Sequence, residues 1–180
     1  YPLRRQRQMC IRDRGYEVVV RPHPQQVRLQ QDKMDRLKER YAKNPDIDIQ
    51  TDFSSNSTVF EADLLVTDWS GIAYEYAFTT KKPVLFVDTP MKVMNPEYQK
   101  IDTVPINIWM RDVIGDRLDP TKTEETENKV RNLLEQKDAY HDRIEKFVEE
   151  YVYNLGNSAE VGAKYIVQAV QEQIKKAKEQ

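Results

Sequence analysis

Four consecutive segments do most to limit what this chain can fold into. Leu64-Leu65-Val66-Thr67 is a continuous apolar run and Asp68-Trp69-Ser70-Gly71 is turn-forming. Ile72 to Thr80 repeats apolar residues at helical spacing, and Pro83-Val84-Leu85-Phe86-Val87-Asp88 is a second apolar run. Short apolar runs bounded by turn residues fit strands held inside a parallel sheet. The helical stretch between them turns Ile72, Ala73, Tyr76 and Ala77 to one face. Parallel strands need a crossover, so the four segments predict a right-handed βαβ unit.

The rest of the chain extends that pattern. Glu17-Val18-Val19-Val20-Arg21 is β-branched and lies between Gly15 and Pro22, which predicts a strand ended by Pro22 and Pro24. Val27, Met34, Leu37 and Tyr41 predict a helix over 26–43, stopped by Asn44-Pro45. Ile47 and Ile49 alternate with polar neighbours, as in a strand near an edge, and Ser57 to Ala62 fits one or two helical turns. Residues 89–120 are rich in proline, with Ile106 to Met110 as a last short strand. Beyond Pro120, helices are predicted over 122–137, 139–153 and from Asn157-Ser158 to about Lys176. The inner stripe of that last helix is Val161, Tyr165, Ile166, Ala169, Val170 and Ile174. The fold class is therefore α/β: a Rossmann-like parallel sheet with flanking helices and a helical C-terminus.

Composition narrows the classes further. The chain has 180 residues, 39% hydrophobic and 32% charged, enough for one packed domain. No run reaches the roughly 18–20 apolar residues of a membrane-spanning helix. Cys10 is the single cysteine, which leaves no disulfide framework and fits a reducing, cytoplasmic setting. The net charge of −2 is uneven, because residues 1–14 hold five arginines and one aspartate. Such an arm suits nucleic acid or anionic lipid. Met9-Cys10-Ile11-Arg12-Asp13 is, however, what a common transposon-type sequencing adapter encodes in one frame. Residues 1–14 are accordingly read as a non-native segment, residues 15–180 as a nucleotide-binding domain, and no nucleic-acid partner is expected.

Two places can carry chemistry. Arg21-Pro22-His23-Pro24 follows a strand, and ligands of open parallel sheets bind at the carboxyl ends of strands. Its prolines fix the backbone and so fix the imidazole, which favours a working His23 over a histidine merely satisfied in a turn. Thr67-Asp68-Trp69-Ser70-Gly71 also follows a strand and opens a helix, whose first amides and partial positive charge suit a diphosphate. Helix capping by Asp68 or Ser70 explains that segment equally well when it is taken alone. His141, in a charged helix, reads as a surface residue; Trp69 and Trp109 read as core rather than as base-stacking platforms. The Glu124-Glu125-Thr126-Glu127 run suits a helix start. There is no Walker A loop, no Rossmann glycine fingerprint and no His/Glu metal motif, so neither a metal site nor a cofactor is expected.

In order, the sequence RPHP, then about 45 residues later TDWSGIAYEYAF, then KKPVLFVD, resembles the C-terminal lobe of the CDP-glycerol glycerophosphotransferases. That family's pattern reads like TDYSSVFFDFA followed by a Lys-Pro-hydrophobic strand. The likeness spans residues 17–98, with Asn157-Ser158-Ala159-Glu160 similar to the family's closing helix. Trp69 stands where the family has Tyr, and Gly71 where it has a second Ser.

The resemblance implies a GT-B-like protein of two Rossmann-like lobes, of which this is the donor lobe. It implies that His23, as the catalytic group, contacts the donor diphosphate, with Arg21 on the same substrate-binding motif. Asp68, Ser70 and Gly71 would form the phosphate-binding turn, and Glu75 would approach the ribose. The implied partners are CDP-glycerol or a related CDP-polyol, and a polyol-phosphate polymer acceptor of the teichoic-acid or capsule kind. A peripheral site on the inner face of the cell membrane is implied too. An N-terminal lobe outside these residues would supply the acceptor side and general base, so the 180 residues alone are expected to bind nucleotide without turnover. Two other readings stay open: a GT-B glycosyltransferase lobe using a nucleotide sugar, and a solitary nucleotide-binding domain without catalysis.

Overall fold

The computed structural model describes residues 15–91 and 95–178, which fall into two compact units divided after Glu61. The expectation that residues 1–14 are non-native lies outside the described residues.

In the first unit, β1 (Val18–Val20) pairs in parallel with β2 (Ile47–Ile49), Val19 opposite Asp48. The helix predicted over 26–43 begins earlier and is split into α1 (Pro24–Leu29) and α2 (Gln31–Tyr41). Pro24 starts a helix rather than merely ending a strand, because the first helical position needs no amide donor and suits the fixed φ of proline. The break falls at Gln30, whose φ of −133° is not helical. Helix α2 packs on β2 and buries Met34. The unit closes with α3 (Ser57–Glu61).

In the second unit, β3 (Leu65–Thr67), α4 (Ile72–Thr80) and β4 (Val84–Val87) form the predicted βαβ unit. Strand β4 is central and its Val84, Leu85 and Phe86 are buried. Strand β3 lies at the ladder's edge with Val66 50% exposed, so it is not the interior strand its apolar run suggested. Helix α4 buries Ala73, Tyr76 and Ala77. The Tyr76 hydroxyl and Lys82 Nζ both donate to the Ala62 carbonyl, at 3.0 and 2.8 Å, tying the end of α4 to the start of β3.

The third strand of this ladder lies later in the chain than the apolar run at 106–110 predicts. Ile106–Trp109 is a short helix, α5, followed directly by α6 (Arg111–Ile114). Four apolar residues without a longer period fit either state, and Pro105 immediately ahead of them favours a helical start. The true last strand is β5 (Gly115–Leu118), parallel to β4 with Gly115 opposite Val84. Helix α7 (Thr126–Glu135) packs on β4 and β5, and α8 (Lys137–Tyr151) packs on α4 and α6. Phe147 of α8 lies 5.5 Å from Trp109 and 4.7 Å from Tyr151, ring centre to centre. Trp109 is thus a packing residue, and His141 is exposed, as their sequence contexts predicted.

The last helix, α9 (Ser158–Lys178), departs from expectation. Its apolar stripe predicts an inner face, yet Val161, Tyr165, Ile166, Val170 and Ile174 are all exposed. Amphipathic spacing identifies an apolar face but not what covers it. The architecture is α/β, with parallel ladders, flanking helices and a helical C-terminus.

Candidate functional site

In the second unit the carboxyl end of β3 runs into residues 68–71 and then into α4. Gly71 is the cap residue of α4, with φ −61° and ψ −21°, and no side chain caps the helix. The capping explanation for Asp68 and Ser70 therefore fails. Among the described residues, the Asp68 carboxylate and Ser70 hydroxyl have no hydrogen-bonding partner. The first amide bonded back into the turn is Ala73 N, to Ser70 O at 3.3 Å, so the preceding amides of Gly71 and Ile72 remain as donors. A helix start of this kind concentrates partial positive charge.

Gly71 has a conformation open to any residue, and a β-carbon there would meet nothing within 4 Å. Neither backbone nor packing requires glycine, so what its missing side chain does is leave the helix start open to close approach. Glu75 sits in the first turn of α4, exposed.

Behind the turn the Trp69 indole donates from Nε1 to the Thr89 carbonyl at 2.8 Å. Its ring lies 3.9 Å from the Arg111 guanidinium, whose other neighbours are the Phe86 ring at 4.6 Å and Asp88 Oδ1 at 2.8 Å from Nη2. Arg111 has no exposed surface. Sequence reading missed it: one arginine in a loop-rich stretch has no periodicity, and its surroundings come from residues 23 to 42 positions away. Trp69, read as core, is the wall between this arginine and the turn.

The first unit holds the other motif. His23 is exposed and caps α1, its Nδ1 accepting from the Gln25 amide at 3.2 Å. That bond needs Nδ1 unprotonated, which puts the hydrogen of the neutral ring on Nε2 and leaves Nε2 as a fixed donor. The turn role thus occupies Nδ1 and leaves the other ring nitrogen uncommitted to the cap. Arg21 donates from Nη2 to Ser55 O at 2.9 Å and to Asn56 Oδ1 at 3.3 Å, so part of its fork braces the 53–56 loop. Asp52 in the same loop is held below the usual carboxylate range by the Ser54 amide and hydroxyl.

Among the described residues no three or more His, Cys, Asp or Glu side chains gather in a metal-binding arrangement, and no helix is long and apolar enough to cross a membrane. Searches of curated proteins and of solved structures return no match. A family model described as CDP-glycerol:poly(glycerophosphate) glycerophosphotransferase matches residues 6–170.

Proposed function

The chain belongs to the CDP-glycerol:poly(glycerophosphate) glycerophosphotransferase family, a family of transferases, and on that footing we propose that it binds a CDP-activated polyol donor. The observation that supports this most is the unspent turn before α4: a hydroxyl, free amides and an uncrowded glycine at the carboxyl end of a parallel strand. In this reading Ser70 and the amides of Gly71 and Ile72 take the donor diphosphate. Glu75, in the first turn of α4, accepts from the ribose. In the first unit, taken by itself, His23 offers Nε2 as a donor suited to a phosphate oxygen.

The reaction proposed is transfer of a glycerophosphoryl group. A hydroxyl at the end of the acceptor polymer attacks the phosphorus that bears the glycerol. The new P–O bond forms as the bond to the CMP oxygen breaks, the hydroxyl proton passes to a general base, and CMP leaves. The groups named above would act by positioning and by stabilising negative charge on the diphosphate.

Donor class is the point to test, because Gly71 removes one hydroxyl from the family's turn. CDP-glycerol, UDP-glucose and GDP-mannose are titrated separately into the protein by calorimetry. Preferential binding of CDP-glycerol supports the reading. Preferential binding of a nucleotide sugar favours the glycosyltransferase reading, and no binding of any of the three removes the donor site.

A further inference from the structure

The Arg111 guanidinium is the largest fully buried side chain in the described structure, and it is poorly satisfied. Its only charged partner there is Asp88, 37% exposed, whose Oδ1 lies 2.8 Å from Nη2 as an ion pair without hydrogen-bond geometry, so Nε, Nη1 and Nη2 all lack a hydrogen-bond partner. Burying a guanidinium is costly, and buried ion pairs can often be replaced by apolar residues of similar volume without loss of stability. General stability therefore accounts poorly for an arginine here. Its contacts are specific instead: the faces of Trp69 and Phe86, and the carboxylate that follows β4. Trp69 is itself pinned by its bond to Thr89. The charge also reaches Tyr74 on the first turn of α4, where it opposes the upward shift that burial imposes on the phenol.

We propose that Arg111 is a positioning residue: stacked on Trp69 and anchored by Asp88, it holds residues 68–71 in the geometry that presents Ser70 and the α4 amides to a diphosphate. The inference rests on the donor reading of that turn. Trp69 is placed at the one point where the brace meets the turn, so its indole reports on the brace directly. A planar cation over an aromatic face also fixes orientation in a way a flexible ammonium does not.

The test uses the full chain with Trp109→Phe, so that Trp69 is the single tryptophan. Acrylamide quenching of Trp69, thermal unfolding and calorimetric CDP binding are compared in that background and with Arg111→Met added. Met fills similar space without charge, so the melting temperature should hold while quenching rises and CDP affinity falls by about tenfold. Arg111→Lys should recover little of either, because it restores charge without the planar stack. If Arg111→Met unfolds, the Arg111→Met/Asp88→Asn pair removes the stranded carboxylate and is judged by the same readouts.

Unchanged quenching in the folded variant overturns the brace. Raised quenching with unchanged CDP affinity overturns the positioning role. If the parent protein does not bind CDP at all, the donor reading and the positioning role fall together, while quenching still decides whether Arg111 holds the turn.

Discussion

Gly115 approaches Val84 so closely that a β-carbon on it would stand 1.8 Å from the Val84 carbonyl oxygen. The contact is backbone to backbone across the β4–β5 ladder, where no rotamer change can relieve it. Strand β5 pairs closely because this position has no side chain.

Gly115→Ala should therefore destabilise the second unit. Overpacking costs about 1–3 kcal/mol, and a rigid backbone neighbour places this site at the upper end. In a chain of this size each kcal/mol lowers the melting temperature by about 2–4 °C. Thermal unfolding checks it; an unchanged midpoint would mean the two strands are not so closely paired.

Burial raises the Tyr76 pKa above its ordinary value of 10.0, since the phenolate would be desolvated in the core. The stability this provides is fully present below pH 10, where the unfolded phenol is still protonated, and is lost as pH rises from 10 toward the folded value. Melting temperatures should fall above that pH, and less steeply in Tyr76→Phe. At neutral pH the variant should cost only about 0.5–1.5 kcal/mol for the lost hydrogen bond, because Lys82 still donates to Ala62 O. Parallel pH profiles of the two proteins would refute the assignment.

The capping bond of His23 can be separated from the phosphate contact proposed for it. His23→Asn keeps a side-chain acceptor for the Gln25 amide and should keep thermal stability near that of the parent. It loses the Nε2 donor, so CDP-glycerol should bind more weakly, by about 1.5–3 kcal/mol for a bond to a charged group. His23→Ala should lose affinity and also fray α1. Full affinity in the Asn variant would leave His23 a cap and nothing more.

The legibility of this molecule follows from where its signals lie. The β3–turn–α4–β4 unit is readable because period, turn chemistry and proline placement agree within 25 residues. Strand β5 is hidden because Asp116 and Arg117 are polar; both find partners on neighbouring helices, in Lys129 and Asp112. Ile106–Trp109 misleads for the opposite reason, being apolar but too short to show a period. At the site, Ser70 and Gly71 are visible as turn residues beside a strand. Arg111 is not, because its environment is assembled by Trp69, Phe86 and Asp88 from distant segments.

Donor binding in this chain is proposed to centre on the turn before α4. Titrating CDP-glycerol calorimetrically into the parent, Ser70→Ala and Gly71→Val proteins tests it most directly. Ser70→Ala should lose about 1.5–3 kcal/mol of binding free energy. Gly71→Val should lose more, although the open space and helical backbone at Gly71 leave the fold room for a side chain. Affinities equal to the parent's in both folded variants would remove this turn as the diphosphate site.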